Sequence, residues 1–149
     1  MRRFALALLL IPVLAVGQSW PLLYITASQT GVSAAALSGG VTTSAIPMGS
    51  PSSSVPYNQL TLSWSATVGS STTMTVTCTG SVDGGSNYRA IERCADGSTY
   101  TCTAATWSYD LTTQTAGLIN IPSNYSHIKC TFTATGTGTV TVTGAKGVV

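Results

Sequence analysis

Charged side chains are scarce in this sequence. Asp, Glu, Lys and Arg make up 7% of its 149 residues, against about 25% in an average globular protein. A disordered polyelectrolyte combines high net charge with low hydrophobicity, and a nucleic-acid binder usually presents a stripe of basic residues. The shortage of charge and the 44% of hydrophobic residues exclude both classes. We therefore expect one globular domain with no nucleic-acid partner.

Catalytic and metal-binding signatures are also missing. The chain has one histidine, His127, and no Gly-x-Ser-x-Gly nucleophile elbow. Its acids are Asp83, Glu92, Asp96 and Asp110, and two of them stand in Asp-Gly turns, so a catalytic carboxylate pair is not indicated. No C-x2-C pair marks a zinc site. We predict a protein that is not an enzyme and holds no cofactor or metal, with calcium at an Asp-Gly turn as the alternative.

Long apolar runs are absent except at the N terminus. Residues 4–16 are apolar and follow Arg2 and Arg3, and a small residue, Gly17, follows the run. The run is shorter than the about 20 residues that span a bilayer, so residues 1–17 are predicted to be a cleaved signal peptide. An uncleaved anchor is the alternative. Cleavage before Gln18 leaves four basic and four acidic side chains, and this balance gives no indication of an anionic partner.

The chain has four cysteines, all of which follow the signal peptide. An even number of cysteines in an exported chain predicts two disulfides. Cys78 and Cys130 share the apolar parity of their predicted strands, so we expect them to face the core and to meet across it. Cys94 and Cys102 flank a turn sequence, so we expect them to close a local hairpin.

Alternating apolar and polar residues dominate from Asn58 onward. Leu60, Leu62 and Trp64 share one face of a predicted strand, with Thr and Ser on the other. Similar short strands follow, separated by Gly-, Asn- and Asp-rich turns, and residues 125–135 and 139–143 are predicted to form a final hairpin. No helical period is evident outside the predicted signal peptide. The sequence predicts an all-β fold, a single antiparallel β-sandwich of jelly-roll type. Residues 57–149 would form its core, and residues 18–56 an N-terminal arm with one or two strands.

Aromatic residues offer the clearest candidates for a binding site. Trp107, Tyr109, Tyr88 and Tyr100 lie near predicted loops or strand ends, where exposed rings can stack on sugars. A place in the core is the alternative for Trp107 and Tyr109, and Trp64 is assigned to the core.

Two stretches resemble known proteins. Residues 80–88, Gly-Ser-Val-Asp-Gly-Gly-Ser-Asn-Tyr, resemble the strand-turn-strand of discoidin-like jelly rolls. Residues 128–142 resemble the closing hairpin of small β-sandwich proteins encoded in tailed-phage genomes. The resemblance implies a module that is associated with virions or binds host surfaces.

These observations together predict a secreted, periplasmic or virion-surface protein from a phage or a bacterium. It would bind a host or cell-surface glycan or protein without catalysis, and would meet the membrane only through its signal peptide before cleavage. The alternative is a structural subunit of a virion, coat or extracellular fibre that self-associates through the N-terminal arm. Neutral strand edges and the arm favour that alternative.

Overall fold

The computed structural model describes residues 23–49, 57–70, 73–94, 102–122 and 124–147. These residues form two antiparallel sheets that pack face to face, and the described part contains a single helical turn, α1. The elements are β1 (Leu23–Ile25), α1 (Ala27–Thr30), β2 (Ala35–Ala36), β3 (Val41–Thr42), β4 (Ile46–Pro47), β5 (Gln59–Val68), β6 (Thr73–Ser81), β7 (Arg89–Ala90), β8 (Glu92–Cys94), β9 (Cys102–Ala104), β10 (Thr106–Asp110), β11 (Ala116–Pro122), β12 (His127–Ala134) and β13 (Gly138–Gly147). The prediction of an all-β sandwich is confirmed.

Sheet A has the strand order β1-β13-β5-β11, and β2 pairs with β13 beside β1. Sheet B has the order β10-β6-β12-β3, with β7 also on β6 and β4 also on β12. The strands β8 and β9 form a separate two-stranded ribbon. Backbone hydrogen bonds join this ribbon to sheet B. Ala105 N–H donates to Ile91 O, and Ile91 N–H donates to Cys78 O.

The core lies between the two sheets and follows the period of two that the sequence predicts. Strand β5 directs Leu60, Leu62 and Trp64 inward, all three at most 1% exposed. Their partners from sheet B include Met74 and Phe132, which are fully buried. β-Branched Thr and small Ser occupy the outward positions, where they suit a pleated surface that faces water.

Residues 23–49, which were expected to form an arm, belong to the sandwich. Their strands add to the edges of both sheets, and Val32, Leu37, Ile46 and Met48 lie in the shared core. The sequence predicts an arm here because these strands are only two or three residues long. Such short elements leave almost no periodic signal.

The predicted bridge between Cys78 and Cys130 is confirmed, but its position differs from the expectation. The two residues pair directly across β6 and β12, with a Cα–Cα distance of 4.1 Å. The bridge therefore links neighbours within sheet B and does not cross the core. Cys94 and Cys102 lie opposite each other on β8 and β9. The side chain of Cys94 is outside the described part of the chain, so the second bridge stays a prediction.

The last two strands do not form the predicted hairpin. Strand β12 pairs with β6 in sheet B, whereas β13 pairs with β5 in sheet A. The link at residues 135–137, which contains Gly136, therefore crosses from one sheet to the other. Adjacent alternating strands satisfy a hairpin and a sheet crossing equally well, because both bury one face of each strand.

Two further predictions concern residues outside the described ranges. The signal peptide at residues 1–17 and the turn at Asp96 lie there. Within the described ranges, no helix is long and apolar enough to cross a membrane.

Candidate functional site

Trp107 and Tyr109 point toward the core. Strand β10 places them opposite Val76 and Met74, which are fully buried, so both rings lie on the inner face of sheet B. The Tyr109 ring lies 4.7 Å from the Trp64 ring, centroid to centroid, and its hydroxyl donates to Leu118 O at 3.4 Å. These contacts give Tyr109 a packing role at the open edge of the sandwich, where Trp107 is also partly buried.

Tyr88 lies on the outer face of sheet B. It precedes β7, and its ring meets Lys129 of β12, whose Nζ lies 4.3 Å from the ring centroid. An ammonium over an aromatic face is attracted by the ring quadrupole, an interaction that needs no opposite charge. The pair therefore orders the lysine side chain without cancelling its charge. Tyr100, the fourth predicted aromatic residue, lies outside the described ranges.

His127 lies beside this pair. It is two residues before Lys129 on β12, so both side chains leave the same face of the strand. A Cβ at Gly85 would lie 3.2 Å from the Tyr88 hydroxyl and 3.4 Å from His127 Cγ. Both the phenol and the imidazole therefore pack close to Gly85. We call Tyr88, His127 and Lys129 the Tyr88 corner.

The loop beneath the corner is held by Asp83. Its carboxylate accepts hydrogen bonds from the Ser81 hydroxyl, from the backbone N–H groups of Ser86 and Asn87, and from the Asn87 amide. The Ser81 hydroxyl, followed by the Asn87 donors, keeps the pKa of Asp83 well below its ordinary value. Because these donors surround both carboxylate oxygens, the sequence Asp-Gly here serves the turn. Among the described residues no three His, Cys, Asp or Glu side chains converge as metal ligands would.

A second support of the corner is the start of β12. The Ser126 hydroxyl donates to Ser81 O at 2.8 Å and accepts from Gly84 N–H at 3.1 Å. His127 Nδ1 lies 3.3 Å from the same hydroxyl. The adjacent serine and histidine are therefore linked, but the hydroxyl is buried and engaged by backbone groups. This arrangement fixes the position of His127. It does not make the Ser126 hydroxyl an activated nucleophile.

Lys129 forms no ion pair with a carboxylate among the described residues, and the same holds for Arg89 and Lys146. The Lys146 ammonium is enclosed, since it donates to Pro47 O at 2.6 Å and lies 5.1 Å from the Tyr57 ring centroid. Burial lowers the pKa of Lys146. Lys129 is thus a cation held at the surface by an aromatic ring, with hydroxyl side chains on the neighbouring strand positions.

Those hydroxyls form a regular array. One row across sheet B consists of Thr106, Thr77, Thr131 and Thr42, contributed by four adjacent strands. The next positions along the strands add Ser108, Thr75 and Thr133, and then Thr79 beside Lys129. The corner therefore continues into a neutral, hydrogen-bonding surface. Such a surface can take polar, uncharged groups of a ligand.

The outer face of sheet A differs from that of sheet B because no described residue on it carries a charge. It holds Thr and Ser from β5 and β13, with two exposed apolar side chains, Tyr24 at 74% and Leu118 at 63%. The nearest lysine in the register, Lys146, points into the core.

Comparison of the chain with protein-family models, with curated proteins and with solved structures finds no match.

The alternation in β12 already places His127 and Lys129 outward, but no local sequence pattern connects them with Tyr88. That contact depends on β7 and β12 both lying beside β6, a strand order that local patterns do not specify.

Proposed function

We propose that the protein is a non-catalytic binding module of a cell surface or virion surface, and that it binds a glycan through the Tyr88 corner. The observation that carries the proposal is the Tyr88–Lys129 contact on the outer face of sheet B. Tyrosine offers a large, rigid contact area at a small cost in side-chain entropy. The threonine rows beside it supply hydroxyl groups for the polar edges of a sugar.

The proposal includes features that the sequence predicts. A signal peptide at residues 1–17, a second bridge between Cys94 and Cys102, and a jelly-roll chain path fit an exported module of the kind encoded in tailed-phage genomes. The buried Cys78–Cys130 disulfide supports export, because disulfides persist in oxidising compartments.

Immobilised glycans and whole bacterial cells test this proposal. We expect the wild-type protein to bind a subset of glycans and Tyr88→Ala to lose that binding. Tyr24→Ala is the matched control, because it removes an equivalent ring from the outer face of sheet A. Equal binding by wild type and Tyr88→Ala would contradict the proposal.

A structural subunit is the second candidate, and the uncharged outer face of sheet A favours it. Interface cores are depleted of charged residues, and the edge strand β11 carries no charge to prevent pairing with another strand. Light scattering of the purified protein distinguishes the candidates. A subunit would assemble, and Leu118→Lys would disperse the assembly, whereas a simple binder would stay monomeric in both forms.

A further inference from the structure

We infer that the ligand of the Tyr88 corner carries an acidic group, so that the glycan class is an acidic saccharide. This inference rests on the proposed function and specifies its substrate. The inference rests on the positions of the charges. The net charge expected after cleavage of the signal peptide is zero and by itself indicates no anionic ligand.

The carboxylates that could neutralise Lys129 are engaged by other donors or lie far from it. The Asp83 carboxylate is surrounded by its four donors on the loop. Asp110 is the acid on the outward positions of β10, and it accepts from Thr112 N–H and the Thr112 hydroxyl. It pairs with Thr73, whereas Lys129 pairs with Thr79, so about 20 Å of strand separates them. Glu92, the remaining described acid, lies on the β8–β9 ribbon opposite Ala104 and forms no ion pair with Lys129. The ammonium therefore has no described carboxylate partner.

The Lys129 ammonium is held in place by its contact with the Tyr88 ring. The Tyr88 ring fixes the direction of the Lys129 side chain and removes part of its freedom, without supplying an opposite charge. An ordered, uncompensated ammonium loses little entropy when it binds an anionic oxygen, and charge-assisted hydrogen bonds are about twice as strong as neutral ones. His127, two residues away on the same face, supplies another nitrogen for the same ligand.

The residues next to Lys129 on sheet B, Thr79 and Thr131, are neutral and can form hydrogen bonds. A cation beside a hydroxyl surface matches a chain of sugar rings with an acidic substituent. It does not match a polyanion such as nucleic acid, which requires a basic stripe.

The test compares an oligosaccharide of hexuronic acids with its carboxyl-reduced form, which has the same rings and no charge. Titration calorimetry would measure both with the wild-type protein, with Lys129→Gln and with Lys129→Arg. We expect the wild type to bind the acidic form about tenfold tighter, as expected for one charge-assisted hydrogen bond. Lys129→Gln should lose this preference while its affinity for the reduced form is unchanged, and Lys129→Arg should keep it. Arg89→Gln is the control, because it removes an exposed cation whose register position is on the opposite face.

Each outcome decides one of the two proposals. Equal affinity of the wild type for both saccharides would overturn the inference and leave the proposed glycan binding standing. A preference that survives in Lys129→Gln would also overturn it. If the protein binds other glycans of the array but neither of these saccharides, its ligand is not an oligosaccharide of hexuronic acids. Competition by inorganic phosphate would then show whether the acidic group is a phosphate ester, and a lack of competition would overturn the inference entirely. Binding of no glycan at all would overturn the proposed function itself.

Discussion

Cys78 and Cys130 bridge two neighbouring strands at a position where the strands do not hydrogen-bond to each other. The carbonyl of Cys78 accepts from Ile91 N–H, and the backbone of Cys130 pairs with Thr43 on the other side. The disulfide thus links two residues of sheet B that are 52 positions apart in the sequence. The backbone of each cysteine forms its hydrogen bonds on the side away from the other cysteine.

We expect the double variant Cys78→Ala/Cys130→Ala to lose about 4 kcal/mol of stability, because the denatured chain is released from a long closed loop. Urea denaturation would measure the loss. The pair Cys94→Ala/Cys102→Ala is the comparison, and its loss should be smaller because the loop between these residues is short. An unchanged midpoint in the first variant would contradict the expected role of the bridge.

Thr30 connects the N-terminal residues to sheet A. Its side chain is fully buried, and its hydroxyl donates to Val142 O at 2.7 Å. Thr30→Val keeps the shape and leaves that carbonyl without its partner, so we expect a loss of about 1–3 kcal/mol. Thr42→Val is the control, since Thr42 is exposed and should change stability by less than about 0.5 kcal/mol. Faster hydrogen exchange at Val32 in both variants alike would argue against the specific role of Thr30.

The sequence predicted the fold class because the long strands alternate clearly, as Leu60, Leu62 and Trp64 do. It predicted the Cys78–Cys130 pairing from parity alone. It did not place residues 23–49 in the core, and it made a hairpin of β12 and β13. These misses share one cause, namely that parity states which face is buried but not which strand lies next to which. The Tyr88 corner depends on that strand order and was therefore only partly foreseen.

Ala34 has a positive φ of 48°, the only non-glycine residue of the described part with this backbone conformation. The left-handed region brings Cβ close to the following carbonyl and costs an alanine about 1–2 kcal/mol. Ala34→Gly should therefore stabilise the protein by about 0.5–1 kcal/mol after the added freedom of the unfolded chain is subtracted. Ala36→Gly, in strand β2, should destabilise it by a similar amount. Thermal unfolding of both variants measures the contrast, and a loss of stability in Ala34→Gly would contradict the account.

The Asp83 turn makes stability depend on acid. Hydrogen bonds from Ser81 and Asn87 lower the pKa of Asp83 in the folded state, so below its unfolded pKa the unfolded chain binds the proton more readily. The stabilisation is complete above the ordinary Asp pKa of about 4 and is lost as the pH falls toward the folded pKa. We expect the melting-temperature difference between wild type and Asp83→Asn to shrink below about pH 4. A difference that stays constant from neutral to acid pH would contradict this.

If the Tyr88 corner binds the glycan, the backbone amides around it should respond to the ligand. Nuclear magnetic resonance of ¹⁵N-labelled protein, titrated with a glycan that it binds, locates the contact surface residue by residue. We predict that the amide shifts that change cluster at Tyr88, His127 and Lys129 and extend to Thr79. Changes that cluster instead at Thr61, Ser63 and Thr143 on the outer face of sheet A would contradict binding at the Tyr88 corner.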